Sequence, residues 1–184
     1  MSALFSCESG SPETSSEEEP PITSNDVGYI INGKGLFPEG VTAKYWYSTE
    51  DKGFNVGFVG KNVLKDYPDS SVVFLTVDFP DSLNGTTQTV SPKPKLSTKD
   101  WNFQVVIANF EEGKLSFGDT AVNAGTFSVN LSKENKTMDM TFSSFIANFE
   151  VATGPTTCFC VEMKVSYKGG VGKSEERICV YNDK

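Results

Sequence analysis

From position 27 onward no stretch longer than about ten residues keeps a helical period. Short runs rich in Val, Ile, Thr, Phe and Tyr alternate instead with Gly, Asn, Asp and Pro. β-Branched and aromatic side chains suit a pleated, half-buried surface, while Gly, Asn and Asp tolerate the backbone angles of tight turns. The runs predict strands at about 27–33, 41–49, 53–60, 71–79, 101–110, 114–118, 123–131, 136–149, 157–168 and 174–182. Asn32-Gly33, Glu50-Asp51-Lys52-Gly53, Asn84-Gly85, Lys133-Glu134-Asn135 and Gly169-Gly170 supply turns between them. About ten short strands punctuated in this way predict an all-β domain, either an antiparallel β-sandwich or a flattened closed barrel. Spacing leaves both architectures open.

One segment breaks the pattern. Residues 80–99 hold Asn84-Gly85-Thr86-Thr87 and then Pro92-Lys93-Pro94-Lys95. The prolines deny a central strand its donors, so the segment reads either as a long functional loop or as an edge hairpin with a polar tip. A partial repeat also stands out: Ile107-Ala108-Asn109-Phe110-Glu111 recurs as Ile146-Ala147-Asn148-Phe149-Glu150. It reads as the trace of a duplicated strand unit or as two buried strands that converged.

At the C-terminal end, Phe159, Val161, Met163, Val165 and Tyr167 alternate with Cys160, Glu162, Lys164 and Ser166. A hairpin turning at 168–171 sets Cys160 opposite Cys179, Glu162 opposite Arg177 and Lys164 opposite Glu175, so core and charges agree in one register. In an exported protein Cys160 and Cys179 are then placed to form a disulfide, or Cys158 replaces Cys160 after a slip of two residues.

The first 26 residues differ in kind. They hold six of the chain's 24 acidic residues and none of its 16 basic ones. With almost no apolar side chains to offset ordering entropy, residues 1–26 are expected to form a disordered acidic tether ahead of a single β domain over 27–184. That domain is close to neutral and has Arg177 as its only arginine. Without a basic stripe, nucleic acid is not an expected partner.

The chain has no histidine. This excludes the usual serine or cysteine triad, a histidine general base and a histidine metal ligand. The four cysteines lack zinc-site spacing, and no cofactor or metal is expected. Carboxylate chemistry remains: Asp78 with Asp81, Glu111 with Glu112, and Asp119 are the acids that a hydrolase would draw on. Asp66, Asp69, Asp78 and Asp81 offer oxygen ligands but match no known calcium loop. The aromatic run Tyr45-Trp46-Tyr47, joined by Trp101, is the candidate ligand-binding set: rings on a sheet's free face stack against sugars, and the same rings otherwise fill a core.

Leu4-Phe5-Ser6-Cys7 resembles the lipobox of bacterial lipoproteins, with an apolar residue three before the cysteine and a small one just before it. Followed by the acidic tether and the β domain, it resembles the small surface-exposed lipoproteins of the Bacteroidetes type. The resemblance implies lipid attachment at Cys7, export from a precursor longer than Met1 to Phe5 allows, and anchoring at the bacterial outer membrane, exposed to the outside. The family brings no catalytic residues. The expected function is a non-enzymatic, surface-tethered β module that binds a glycan or a partner protein. A lipocalin-like carrier of a small apolar ligand and a carboxylate-based hydrolase are the alternatives.

Overall fold

A computed structural model describes residues 25–31, 33–64, 69–90, 104–111, 114–121, 125–146, 150–151 and 161–180. They form twelve strands: β1 (Val27–Ile31), β2 (Lys34–Leu36), β3 (Thr42–Ser48), β4 (Gly53–Lys61), β5 (Ser71–Pro80), β6 (Thr86–Val90), β7 (Gln104–Glu111), β8 (Lys114–Ala121), β9 (Gly125–Ser132), β10 (Thr137–Ile146), β11 (Glu150–Val151) and β12 (Val161–Lys173). A single 3-10 turn, Asp81–Leu83, is the only helical element among the described residues.

Four of the five expected turns form where the sequence places them, at Gly33, Asp51-Lys52, Asn84-Gly85 and 133–136. Gly33 and Gly85 adopt positive φ, as do Lys52 and Lys136 in the loops closing β3–β4 and β9–β10. Ser48 Oγ and the Asp51 backbone N–H tie the first of those loops, 3.1 Å apart. Asn84 does more than turn: its amide gives 3.0 Å to the Leu131 carbonyl and accepts 2.8 Å from the Leu131 N–H, copying a backbone pair ahead of β6. Among the described residues β6 is an edge strand, paired with β9 alone. The edge position expected of this segment holds as far as Val90, but the strand's partner lies outside the segment, so no local hairpin forms there, and residues 91–99 lie outside the described residues.

The strands follow one hydrogen-bonded path, β11-β8-β7-β5-β4-β3-β12-β10-β9-β6, with β1 and β2 added beside β12. It curls over on itself into an open half-barrel, and among the described residues its ends, β11 and β6, do not meet. Two layers result: β2-β1-β12-β10-β9-β6, the β10 layer, and β3-β4-β5-β7-β8-β11, the β4 layer. Their inner faces pack ring on ring. Tyr29 meets Phe74 at 6.4 Å, Phe58 meets Tyr167 at 5.7 Å and Phe79 meets Phe127 at 5.4 Å between centroids. Each fully buried phenylalanine contributes about 1.5–3 kcal/mol of transfer free energy, so this aromatic seam dominates the core.

Two expectations fail at the C-terminal end. Gly169-Gly170 does not turn; β12 runs straight through it for 13 residues. Neither glycine has the positive φ that a two-residue hairpin requires. The strand instead leaves β10 at Gly170 and pairs with β3 over Val171 to Lys173 in parallel, which makes the sheet mixed and not purely antiparallel. Glu162 therefore faces Ile30 and Phe145, and Lys164 faces Gly28 and Ser143, in place of Arg177 and Glu175. Cys179 is exposed with a free thiol; Cys160 and Cys158, its expected partners, lie outside the described residues. Of the two repeat copies, Ile107 to Glu111 sit within β7; in the second copy Ala147, Asn148 and Phe149 lie outside the described residues.

Candidate functional site

Residues 174–180 cross the outside of the β4 layer as a strap. The Ser174 N–H donates 2.7 Å to the Tyr45 carbonyl, continuing the parallel pairing. Further along, the Ile178 N–H donates 2.7 Å to Asn55 Oδ1, and Asn55 Nδ2 donates 2.7 Å to Asp78 Oδ1. Arg177 Nη2 reaches the other oxygen, Asp78 Oδ2, at 2.9 Å. Gly57 makes the close approach feasible: a Cβ there would sit 2.5 Å from Ile178 Cγ2. The strap explains why β4 is buried on both faces and why Asp78, 3 % exposed, survives in the interior: both of its oxygens accept strong donors.

The second polar cluster lies at the rim of the core. Tyr47 packs its ring on Phe54, 4.8 Å between centroids, and donates from its hydroxyl to Asp81 Oδ2 at 3.1 Å. Lys133, from the β9–β10 turn, holds its Nζ 3.9 Å above the same ring. Partial desolvation, and then the Asp81 carboxylate, push the Tyr47 phenol above its ordinary value. Burial does the same to Tyr29, which donates to the Ala108 carbonyl, and to Tyr167.

A raised phenol pKa favours the neutral form in the fold. Its stabilisation is full below the unfolded value of about 10 and is lost as pH rises through the folded value. Alkaline titration followed by tyrosinate absorbance is therefore expected to rise in stages, with Tyr29, Tyr47 and Tyr167 ionising late and together with unfolding. A single step complete near the ordinary phenol range would contradict this.

The aromatic set expected from sequence does not form one platform. Tyr45 is 4 % exposed, its ring 6.3 Å from Phe54 inside the core, because it shares the inward face with Tyr47. Trp46 points the other way, half-buried, at the register position opposite Asn55. Tyr47 reaches the rim but carries Lys133 on its ring. Trp101 and Cys7 lie outside the described residues, as do Cys158, Asp66, Glu112 and the side chains of Glu111 and Asp119. Asp78 and Asp81 do not share a cleft: one is held under the strap, the other at the rim by Tyr47. Sequence reasoning missed Phe37, the large apolar side chain most exposed among the described residues, whose signal was a glycine on each of two neighbouring strands.

Comparison with family models, with curated proteins and with solved structures found no match. What this chain does has to be argued from its own geometry.

Proposed function

We propose that this chain is a non-enzymatic binding module, lipid-anchored through Cys7 at the bacterial outer membrane, that recognises an external glycan with its outer surface. The observation that carries the reading is the filled interior. Tyr45, Phe54, Phe79, Phe127 and Phe142 follow one another at centroid separations of 6.3, 5.3, 5.4 and 6.3 Å, spanning both layers. A lipocalin-like carrier needs that volume for its ligand. A carboxylate hydrolase needs two acids facing one cleft, whereas Asp78 and Asp81 serve different partners on different sides of the β4 layer. Recognition is left to the outside, on a near-neutral domain that suits an uncharged polymer better than a phosphate backbone.

One observation favours a partner protein as the second reading. β6 is an edge strand whose backbone on the side away from β9 has no strand partner among the described residues, an opening for an added strand.

A glycan array probed with the full chain, beside a titration with a long-chain fatty acid, tests the choice. Retention on glycans without fatty-acid uptake is expected; saturable uptake with a blank array would return the carrier. For the anchor, a clickable fatty acid is expected to label the wild type in its own host and not Cys7→Ala. An unlabelled wild type removes the anchor.

A further inference from the structure

Strand alternation sends one set of β10-layer side chains into the core and the other set outward. Outward, the register lines up Thr87, Ser128, Thr141 and Ser166 across four neighbouring strands. The next row is Thr126, Ser143 and Lys164, and it continues to Gly28 on β1. Thr87, Thr126, Thr141 and Ser143 are exposed, and Thr87 Oγ1 donates 3.0 Å to Ser128 Oγ. Lys164 is the only formal charge in these two rows. In the row beyond them Lys168 and Asp139 offset each other at 3.5 Å.

The second row ends on an aromatic ring. Gly28 on β1 and Gly35 on β2 carry no side chains on the outer face, where Ile30 stands opposite Gly35, and Phe37 lies over the two glycines. A Cβ at Gly28 would come within 2.5 Å of Phe37 Cδ1, and one at Gly35 within 3.0 Å of Cε2. Phe37 remains 49 % exposed. From β1 to β6 the face spans four strand spacings, about 19 Å, room for a short run of sugar rings.

We propose that this face is the seat of a neutral glycan chain, an assignment that rests on the glycan reading above. The C–H face of one sugar stacks on Phe37, and the hydroxyls of the following sugars exchange hydrogen bonds with the serine and threonine rows. Each such bond replaces one to water and contributes little alone, so the seat gains affinity from many of them and from the ring. A neutral partner fits because the rows offer hydroxyls and not a basic stripe. An anionic polymer would find Lys164 but also Asp139 and Glu162 on the same face.

The test is depletion of the full chain from solution by microcrystalline cellulose, chitin, granular starch and curdlan. Retention on at least one is expected. Phe37→Ser is expected to weaken it about tenfold, the scale of one aromatic stacking contact. Thr141→Lys, which raises a long cation from the middle of the rows, weakens it at least as much, while Thr42→Lys on the outside of β3 leaves it unchanged. Near-ultraviolet circular dichroism confirms that all three variants stay folded. If both Phe37→Ser and Thr141→Lys bind as the wild type does, the seat is wrong and the glycan reading stands. If the wild type ignores all four polysaccharides yet binds anionic glycans on the array, the neutral ligand is wrong. A blank array removes the glycan reading itself.

Discussion

Phe79→Ala is expected to remove about 3–5 kcal/mol of folding stability, a large share of what holds the two layers together. The Phe79 ring is fully buried, stacked 5.3 Å from Phe54 at 23° on its own layer and 5.4 Å from Phe127 on the facing one. Truncation leaves a cavity where the two layers touch ring to ring, and rigid strands on both sides limit collapse. A domain of this size has roughly 5–15 kcal/mol in total, so the variant should unfold at a much lower urea midpoint. Phe79→Leu, which keeps most of the volume, should lose less than half as much. Equal midpoints for wild type and Phe79→Ala would mean that the layers are not held by this seam.

Asp78→Ala has the second largest expected effect, about 2–3 kcal/mol, and its consequence is local. The substitution removes the acceptor of both Asn55 Nδ2 and Arg177 Nη2. Arg177 is 53 % exposed at its side chain and finds water, so its part of the ion pair is discounted; most of the cost falls on the buried Asn55 amide and on the strap it holds. Hydrogen exchange at the Ile178 amide, which donates to Asn55, should quicken far more than exchange in β9 or β10. Asp78→Asn keeps an acceptor for Asn55 and should fall between. Uniform acceleration across all strands would make Asp78 a global core residue and not the strap's fastening.

Most strands were legible because their signals are local. Asn32-Gly33 and Asn84-Gly85 put glycine where positive φ is needed, and alternation along Phe127, Val129 and Leu131, or Met138, Met140 and Phe142, sorts inside from outside. The C-terminal hairpin misled for the same reason. Gly169-Gly170 looks like a turn, and Glu162 with Arg177 and Lys164 with Glu175 make a self-consistent local register. The true partner of Arg177 is Asp78, 99 residues earlier, and no local pattern encodes a pairing over that distance. Sandwich versus barrel was likewise undecidable, since it depends on β12 passing from one layer to the other.

The candidate surface was less legible than the fold. Three aromatics in a row drew attention to Tyr45-Trp46-Tyr47, yet two of the rings serve the core and its rim. Phe37 stands alone in sequence and becomes conspicuous only when Gly28 and Gly35, on neighbouring strands, are both seen beneath it. The hydroxyl rows draw on β6, β9, β10 and β12, of which only β9 and β10 are neighbours in the chain, and emerge only from the register.

Recognition on the outside of a filled double layer has a direct spectroscopic signature. Isotope-labelled full chain is titrated with a neutral oligosaccharide, and separately with a fatty acid, while backbone amide and methyl resonances are followed. Sugar-dependent shifts are expected at Phe37, Thr126, Thr141 and Ser143, with Met138, Met140 and Val129 unmoved and no response to the fatty acid. Fatty-acid-dependent shifts concentrated at those core methyls, with the outer β10 face silent to sugar, would contradict outside recognition and return the interior as the binding site.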